Sequence, residues 1–425
     1  MKKNLCLLLS FLFSLVLKGQ TIQEAMDNYD YATVLKQIEK EEHLSTKNLL
    51  YKAIALKNLH RSNEAMNVLK EIEINEPNNQ QVLIELAECS KLLGRTEQAT
   101  EYYRRITELN PQHQYAQFQY ARQLCNRGKY DLAKQTISEL IKTDSSAVSL
   151  RLLAECYERK KDFKKAIEIY SQTIKKHPYD YLSYLKLGAI LIDNECYEKV
   201  KVMTEEFRKT DSTNIEINRQ NALSYFLVKE YKTAIERYNQ LTEQGDSTLQ
   251  TLYFLGISHY ALYHYYEAHD WLERAYQIKP EDTNLLYYLG RACSKTSWKE
   301  EGIEHLCKAI ELTIPKDSTM GRLYRGLADC YKLNSDYPEM ILALKEQLKY
   351  EPEKQILFYK IGEIYYYLKD YDNAKFYLDK FLKTKTKNRS NIDGDDEEEN
   401  ISYEKSYIAA ENLLKKIRKE NFFKK

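Results

Sequence analysis

The sequence contains little glycine and proline, 12 and 7 residues among 425. Collagen-like, glycine-rich and proline-rich classes are therefore excluded, and few glycines remain for a nucleotide-binding loop. The charge is nearly balanced, with 64 Lys and Arg residues against 63 Asp and Glu residues. Because capture of nucleic acid needs a concentrated basic surface, we expect no nucleic-acid partner.

Motifs that carry catalysis or bind cofactors are also missing. No GxSxG, HExxH, GxxxxGK[ST] or GxGxxG string occurs. The eight histidines include no pair at the four-residue spacing of a helical zinc site. The acidic run that begins at Asp393 places Glu398 where a calcium loop needs glycine. We therefore predict a non-enzymatic protein without cofactor or metal, and an enzyme with an unrecognised site is the alternative.

Residues 1–20 have the layout of a secretory signal peptide. Lys2 and Lys3 precede an apolar run from Leu5 to Leu17. As a helix this run is about 20 Å long, short of the roughly 30 Å hydrocarbon core of a bilayer. No second run resembles it, so we predict an exported protein without an integral membrane span, periplasmic or associated with the outer membrane. The alternative is a cytoplasmic protein with an uncleaved N-terminal anchor.

Two series of small residues recur in phase, mostly at steps of 34 residues. The first series is Ala53, Ala87, Ala121, Ala154, Gly188, Ala222, Gly256, Gly290, Ala328 and Gly362. The second follows 12 residues later, at Ala65, Ala99, Ala133, Ala166, Val200, Ala234, Ala268, Gly302, Met340 and Ala374. Polar turns separate the two series, and apolar residues recur at helical spacing on either side. Each unit is therefore predicted to be a pair of antiparallel helices that approach closely at the small residues.

One helix pair cannot bury its apolar face, so neighbouring pairs must stack. The unit resembles the tetratricopeptide repeat, whose pattern Leu86-Ala87, Ala99, Tyr103 and Pro111 fit. The resemblance implies an all-α fold, a right-handed superhelical solenoid of about ten 34-residue units over residues 46–387. A four-residue insertion near residues 314–319 is expected to form a loop or a slight bend.

The segments that flank the array differ from it in composition. Residues 21–45 are predicted to form a partial N-terminal helical unit, and residues 388–401 an acidic linker. Residues 402–425 are predicted to form an amphipathic helix. Its apolar stripe is Tyr403, Tyr407, Ala410, Leu414 and Ile417. This helix either caps the exposed end of the array or presents its basic residues to a partner.

Three of the cysteines occupy the same position in their units, two residues after the small residue: Cys89, Cys156 and Cys330. Positions fixed by the repeat are normally part of the core, so buried free thiols are expected. Cys293 with Cys307 is the least improbable disulfide, because the two would face each other within one helix pair.

The resemblance also implies that the first helix of each unit lines a concave groove. The positions three before, one after and four after the small residue would face that groove. The predicted partner contacts are Tyr253, Ile257, Tyr260, Tyr287, Arg291, Arg325, Tyr359 and Tyr366, and the same rule selects Ser294, Asp329, Lys332 and Glu363. Tyrosine and arginine are enriched at interface hot spots. However, the chain has 37 tyrosines, so a packing role for these rings stays open.

We therefore predict a scaffold or adaptor of the cell envelope that binds a protein or peptide segment in its concave groove, within an envelope-associated complex. The alternative function is a carbohydrate-binding accessory protein of surface nutrient uptake, in which tyrosine rings stack on sugar rings.

Overall fold

The computed structural model describes residues 21–313, 317–384 and 397–423, which form 23 helices and no strand. The predicted signal peptide at 1–20 and residues 388–396 of the predicted linker lie outside the described residues. The chain divides into two compact units, unit 1 (Met1–Asn194) and unit 2 (Glu195–Lys425).

Unit 1 begins with two short helices, followed by four helix pairs and one further helix. Its helices are α1 (Ile22–Asp27), α2 (Tyr31–Ile38), α3 (Thr46–Asn58), α4 (Ser62–Asn75), α5 (Gln80–Leu92), α6 (Thr96–Leu109), α7 (Gln114–Asn126), α8 (Tyr130–Leu140), α9 (Ala147–Arg159), α10 (Phe163–Lys176) and α11 (Tyr181–Asp193). Each helix packs against the next along the chain, as stacked helix pairs require.

Unit 2 holds one helix, five helix pairs and a long C-terminal helix. Its helices are α12 (Tyr197–Thr210), α13 (Ile215–Leu227), α14 (Tyr231–Glu243), α15 (Leu249–Ala261), α16 (Tyr265–Ile278), α17 (Thr283–Cys293), α18 (Lys299–Leu312), α19 (Asp317–Leu333), α20 (Tyr337–Tyr350), α21 (Ile356–Tyr367), α22 (Tyr371–Leu382) and α23 (Glu397–Phe423). We call the first helix of each pair the inner helix and the second the outer helix. The described residues thus confirm the all-α fold of stacked helix pairs.

The small residues lie where the two helices of a pair approach most closely. A Cβ atom placed on Gly256 would lie 2.6 Å from Cγ of Leu272, and one on Gly362 would lie 2.8 Å from Cγ of Leu378. Both leucines are fully buried. Large side chains at these positions would force the helices apart, which explains the period of small residues in the sequence.

The turns within the pairs follow the same period. The second residue after the inner helix adopts a left-handed conformation, with φ of +71° at Gly94 and +74° at Gly128. The corresponding residues Lys161 and Lys229 take the same conformation, each with φ of +64°. This conformation ends the inner helix and turns the chain back toward the outer helix.

Two boundaries differ from those expected. The insertion does not form only a loop, because α19 begins at Asp317 and has 17 residues, whereas α15 and α21 have 13 and 12. Residues 314–316 lie outside the described residues. Helix α23 begins at Glu397, five residues before the expected start. Acidic residues in a first turn are favoured by the helix dipole, and this accounts for the earlier start.

Helix α23 packs on the last helix pair. Tyr407, Ala410, Leu414 and Ile417 of the predicted apolar stripe are buried in one cluster with Phe381 and Leu378 of α22. The rings of Tyr407 and Phe381 are stacked at 4.5 Å. These are the contacts expected of a cap. None of the helices in the described ranges combines the length and hydropathy needed to cross a bilayer.

Candidate functional site

The predicted contact residues lie on four inner helices of unit 2: α15, α17, α19 and α21. Helix α17 contacts both α15 and α19, so these three inner helices form one continuous face. We call the surface carried by the four helices the inner face. Behind this face, Gly290 permits the close approach of α17 to the outer helix α18, because a Cβ atom there would lie 2.7 Å from Cγ of Leu306.

Tyrosine rings cover the α15 and α17 part of the inner face. Tyr288 stands at the centre, with edge-to-face contacts to Tyr253 at 6.3 Å, Tyr260 at 5.8 Å and Tyr287 at 5.2 Å. Burial raises the pKa of both Tyr253 and Tyr288. Sequence reasoning did not select Tyr288, because its position, two before the small residue, is not among those that the family pattern assigns to the groove. These tyrosine rings therefore pack against one another and also form part of the inner face.

Arg291 links three inner helices. Its Nε donates a hydrogen bond to Oη of Tyr260 on α15 at 3.2 Å, and its guanidinium forms an ion pair with Asp329 on α19. Arg322 stacks over the ring of Tyr287 at 4.8 Å. Arg291 is thus engaged within the protein, so its direct effect is to fix the relative positions of α15, α17 and α19.

Two of the other predicted residues are partly packed and one is buried. Ile257 is only 7% exposed and belongs to the apolar core with Leu285 and Leu289. It offers almost no surface to a partner, and the position after a small residue does not face outward here. Tyr359 donates a hydrogen bond to Oε1 of Glu363 at 2.6 Å, and Tyr366 packs against neighbouring tyrosines of the last helix pair.

A cavity of about 580 Å³ opens between α19, α20 and α21. Helix α20 contacts α21 less extensively than the earlier outer helices of unit 2 contact the inner helices that follow them, and this leaves the space. Its apolar walls are formed by Ala328, Met340, Leu344, Leu357 and Ile364. Tyr337, Tyr359 and Tyr367 also line it. A cavity of this size accepts one or two large apolar side chains.

The polar rim of this cavity is mainly basic. Four basic side chains line it, those of Arg325, Lys332, Lys354 and Lys360, against the acidic side chains of Asp329 and Glu363. Asp329 forms an ion pair with Arg291, whereas Glu363 accepts a hydrogen bond from the uncharged hydroxyl of Tyr359. In the described part of the chain no acidic group forms an ion pair with Lys332 or Lys360. The rim therefore presents unneutralised positive charge beside an apolar cavity.

A buried carboxylate fixes the other two basic groups of the rim. Glu351 accepts hydrogen bonds from Arg325 at 3.0 Å and from Lys354 at 2.7 Å. Burial alone would raise the pKa of Glu351, but hydrogen bonds from Gln347 and Lys354 and the charge of Arg325 lower it overall. The side chain of Arg325 remains 43% exposed, so it keeps donors for a bound segment.

Sequence comparisons identify the repeat. A tetratricopeptide repeat model matches residues 52–254, and a second tetratricopeptide repeat model matches residues 357–388. The chain belongs to the tetratricopeptide repeat family. A model described as anaphase-promoting complex, cyclosome, subunit 3 matches residues 228–309 of this tetratricopeptide array. No curated protein matches the chain at a significant level.

Several solved structures are similar to this tetratricopeptide repeat protein. The C-terminal part of a repeat-containing protein from Cytophaga hutchinsonii is 18% identical, with 56% of this chain and 97% of that chain covered and a TM-score of 0.44. A tetratricopeptide repeat protein from Parabacteroides merdae is 14% identical, with coverages of 59% and 98% and a TM-score of 0.41. YrrB, described as having an unusual peptide-binding site, is 15% identical, with coverages of 46% and 98% and a TM-score of 0.41.

The seven cysteines of the described residues are all free. This confirms the expected thiols, and the disulfide considered between Cys293 and Cys307 does not form. Cys89, Cys125, Cys156, Cys293 and Cys330 are buried, whereas Cys196 and Cys307 are partly exposed. Burial raises the pKa of the Cys89 thiol to about 11, which makes it a poor nucleophile.

Potential metal ligands gather in a second place, away from the cavity. His269 and Glu273 on α16 meet Glu301 and His305 on α18, beside Cys293 at the end of α17. Sequence reasoning missed this cluster because it looked for two histidines on one helix. The usable signal is a His-x-x-x-Glu sequence followed by Glu-x-x-x-His about one repeat later, since the repeat places the two outer helices side by side.

Proposed function

We propose that this chain is a non-enzymatic scaffold that binds a segment of another protein on the inner face of unit 2. The cavity between α19, α20 and α21 is the observation that carries the proposal. It is lined by Arg325, Tyr359 and Glu363, which the family pattern assigns to the groove, and it combines apolar walls with a mainly basic rim. Tetratricopeptide repeats are typically non-catalytic interaction scaffolds, which supports the same conclusion.

The cavity also indicates what kind of segment would bind. An aromatic or branched apolar side chain would fill the space beside Leu344 and Ile364, and acidic residues next to it would pair with Lys332 and Lys360. Arg325 and Tyr359 would contact the same segment. The tyrosines of α15 and α17, with Arg291, would extend the surface and hold its shape, and Tyr366 would lie at its far end. No observation on the described residues favours sugar binding, because the tyrosine rings mainly contact one another.

Charge reversal at the rim tests this proposal without disturbing the core. Lys332 and Lys360 are exposed, so a variant with Lys332→Glu and Lys360→Glu should fold normally. A matched control with Lys199→Glu and Lys375→Glu makes the same change in net charge at exposed positions on helices α12 and α22. The tagged full chain and both variants are expressed in the source cells and purified through the tag. The proteins that co-purify with each are then quantified.

We expect the amount of a specific partner protein that co-purifies with the rim variant to fall at least tenfold, because electrostatic attraction becomes repulsion at the binding surface. The control variant should retain that partner. Equal retention by the two variants would contradict binding at the inner face. Release of a glycan rather than a protein from the native chain would support the carbohydrate-binding alternative.

We also propose that the protein is exported and acts in the cell envelope, on the strength of the sequence of residues 1–20. The intact mass of the protein recovered from cells tests this. A mature chain that begins near residue 21, recovered from the periplasmic or outer-membrane fraction, is expected. A chain that begins at Met1 in the cytoplasmic or inner-membrane fraction would contradict export.

A further inference from the structure

Five side chains that can bind metal converge between α16, α17 and α18. The ligand atoms of His269, Cys293 and Glu301 all lie within 4.8 Å of one another, and so do those of Glu273, Glu301 and His305. His269 Nε2 is 3.5 Å from Oε1 of Glu301, and His305 Nε2 is 3.3 Å from the same oxygen. A tetrahedral ion with bonds of about 2.0 to 2.3 Å separates its ligands by about 3.3 to 3.8 Å. The separation between His269 and Glu301 therefore matches a single metal ion, and Cys293 lies within 4.8 Å of both.

The cluster leaves buried polar atoms without hydrogen bonds. His269 is only 8% exposed, yet its Nε2 has no hydrogen-bond partner among the described residues. Oε2 of Glu273 is also buried without a hydrogen-bond partner among the described residues, although Oε1 accepts a hydrogen bond from Gln277 at 2.6 Å. A buried polar atom without a partner is costly, so such atoms are rare unless water or an ion satisfies them.

The surroundings hold the His269 ring in the orientation that a ligand needs. Its Nδ1 lies 3.3 Å from the carboxylate of Asp270, and its ring stacks on Trp298 with centroids 3.9 Å apart. A carboxylate on one ring nitrogen sets the tautomer that leaves the other nitrogen free for a metal. Nε2 then lies beside Glu301, and the sulfur of Cys293 belongs to the same cluster of ligand atoms within 4.8 Å, so both could complete a coordination shell.

The mixture of ligand types selects the ion. Magnesium and calcium bind to oxygen ligands, whereas one imidazole nitrogen, one thiolate and one carboxylate are typical of zinc. We propose that His269, Cys293 and Glu301 bind a Zn²⁺ ion, and that Asp270 and His305 act as positioning residues that orient His269 and Glu301. The ion would join α16 of one helix pair to α17 and α18 of the next, and would stabilise that junction of the array.

Cobalt substitution tests the site in the full-length protein. The purified chain is stripped with a chelator and titrated with Co²⁺. We expect one equivalent to bind, with visible ligand-field bands of tetrahedral cobalt and a near-ultraviolet thiolate-to-cobalt band, and we expect Zn²⁺ to displace it. Zn²⁺ should also raise the melting temperature of the stripped protein by linkage. A titration that shows none of these bands would overturn the proposal.

Variants assign the ligands. Cys293→Ser should abolish the thiolate-to-cobalt band, His269→Gln and Glu301→Gln should each weaken Zn²⁺ binding more than tenfold, and His305→Gln about tenfold. His264→Gln and Cys307→Ser are controls at a histidine and a cysteine outside the cluster, and should leave the spectrum unchanged. An unaltered spectrum in Cys293→Ser would contradict the assignment.

A second measurement covers the case in which a variant fails to fold. X-ray absorption of the native zinc complex should show one sulfur and otherwise nitrogen or oxygen neighbours. A zinc ion with no sulfur neighbour would overturn the proposal.

Discussion

The contact between Gly256 and Leu272 allows a quantitative test of how the helix pairs pack. A methyl group added at Gly256 would lie 2.6 Å from Cγ and 2.9 Å from Cδ2 of Leu272, and 3.2 Å from its backbone nitrogen. Since Leu272 is fully buried, it cannot move aside freely. Overpacking of this kind costs about 1 to 3 kcal/mol. Replacing glycine by alanine within a helix stabilises the helix by about 1 kcal/mol, because alanine has the higher helix propensity.

Gly256→Ala should therefore destabilise the pair α15 and α16 by about 0 to 2 kcal/mol. The double variant separates the two effects. In a Leu272→Ala background the contacts at 2.6 and 2.9 Å are removed and only the 3.2 Å contact with the backbone nitrogen remains. Gly256→Ala should then become stabilising by up to about 1 kcal/mol. The coupling energy between the two substitutions is then about 1 to 3 kcal/mol, opposite in sign to the cost of the clash.

Hydrogen exchange of the α15 and α16 amides is the suitable assay, because repeat arrays need not unfold in one step and exchange reports local free energies. Ala222→Gly, one repeat earlier, is the control. It removes a methyl group that already fits and should cost about 1 kcal/mol. Additive effects of Gly256→Ala and Leu272→Ala, within about 0.5 kcal/mol, would refute the close-approach explanation of the small residues.

Three further predictions concern a turn, an ion pair and the C-terminal helix. Lys161→Gly should raise the local unfolding free energy of the neighbouring amides, measured by hydrogen exchange, by about 0.5 to 1 kcal/mol. Gly128→Ala should lower it by about 1 kcal/mol, because both positions are left-handed. Burial alone would raise the pKa of Asp246, but hydrogen bonds from Arg219 lower it overall. Asp246→Asn should then cost about 1 to 3 kcal/mol at pH 7, because Arg219 is partly exposed and keeps its ion pair with Glu216. Because the folded pKa is the lower one, this stabilisation is complete above the unfolded pKa of about 3.9 and is lost as the pH falls further. The difference in the free energy of unfolding between Asp246→Asn and the native protein should therefore shrink in acid. A difference that does not depend on pH would contradict the assignment. Ile417→Ala should cost about 2 to 5 kcal/mol and make the α23 amides exchange faster, whereas unchanged exchange would show that α23 does not depend on this contact.

The helix pairs could be predicted from the sequence because the need for a small residue at the helix contact recurs from unit to unit. A single alanine such as Ala87 carries little information, but ten small residues in phase identify the close approach of two helices. The start of α19 could not be predicted, since the insertion interrupts the period that the prediction used. The start of α23 was also missed, because a strongly acidic segment is compatible with both a linker and the first turn of a helix.

The candidate sites were harder to predict from the sequence than the fold. The family pattern placed Arg325 and Tyr359 beside the cavity, but it could not predict the cavity itself, which results from reduced packing between α20 and α21. It also assigned Ile257 to the surface, where the structure shows a core residue. The cluster around Glu301 depends on two outer helices lying side by side, so no motif within one helix could reveal it.

Photocrosslinking in cells tests the central proposal most directly. Tyr367 lines the cavity and is 71% exposed, whereas Phe376 on the outer helix α22 is 51% exposed. A photoreactive aromatic residue is placed at either position. We predict that position 367 crosslinks to one specific protein and that position 376 does not. Crosslinking to that protein from position 376 but not from position 367 would contradict binding at the inner face.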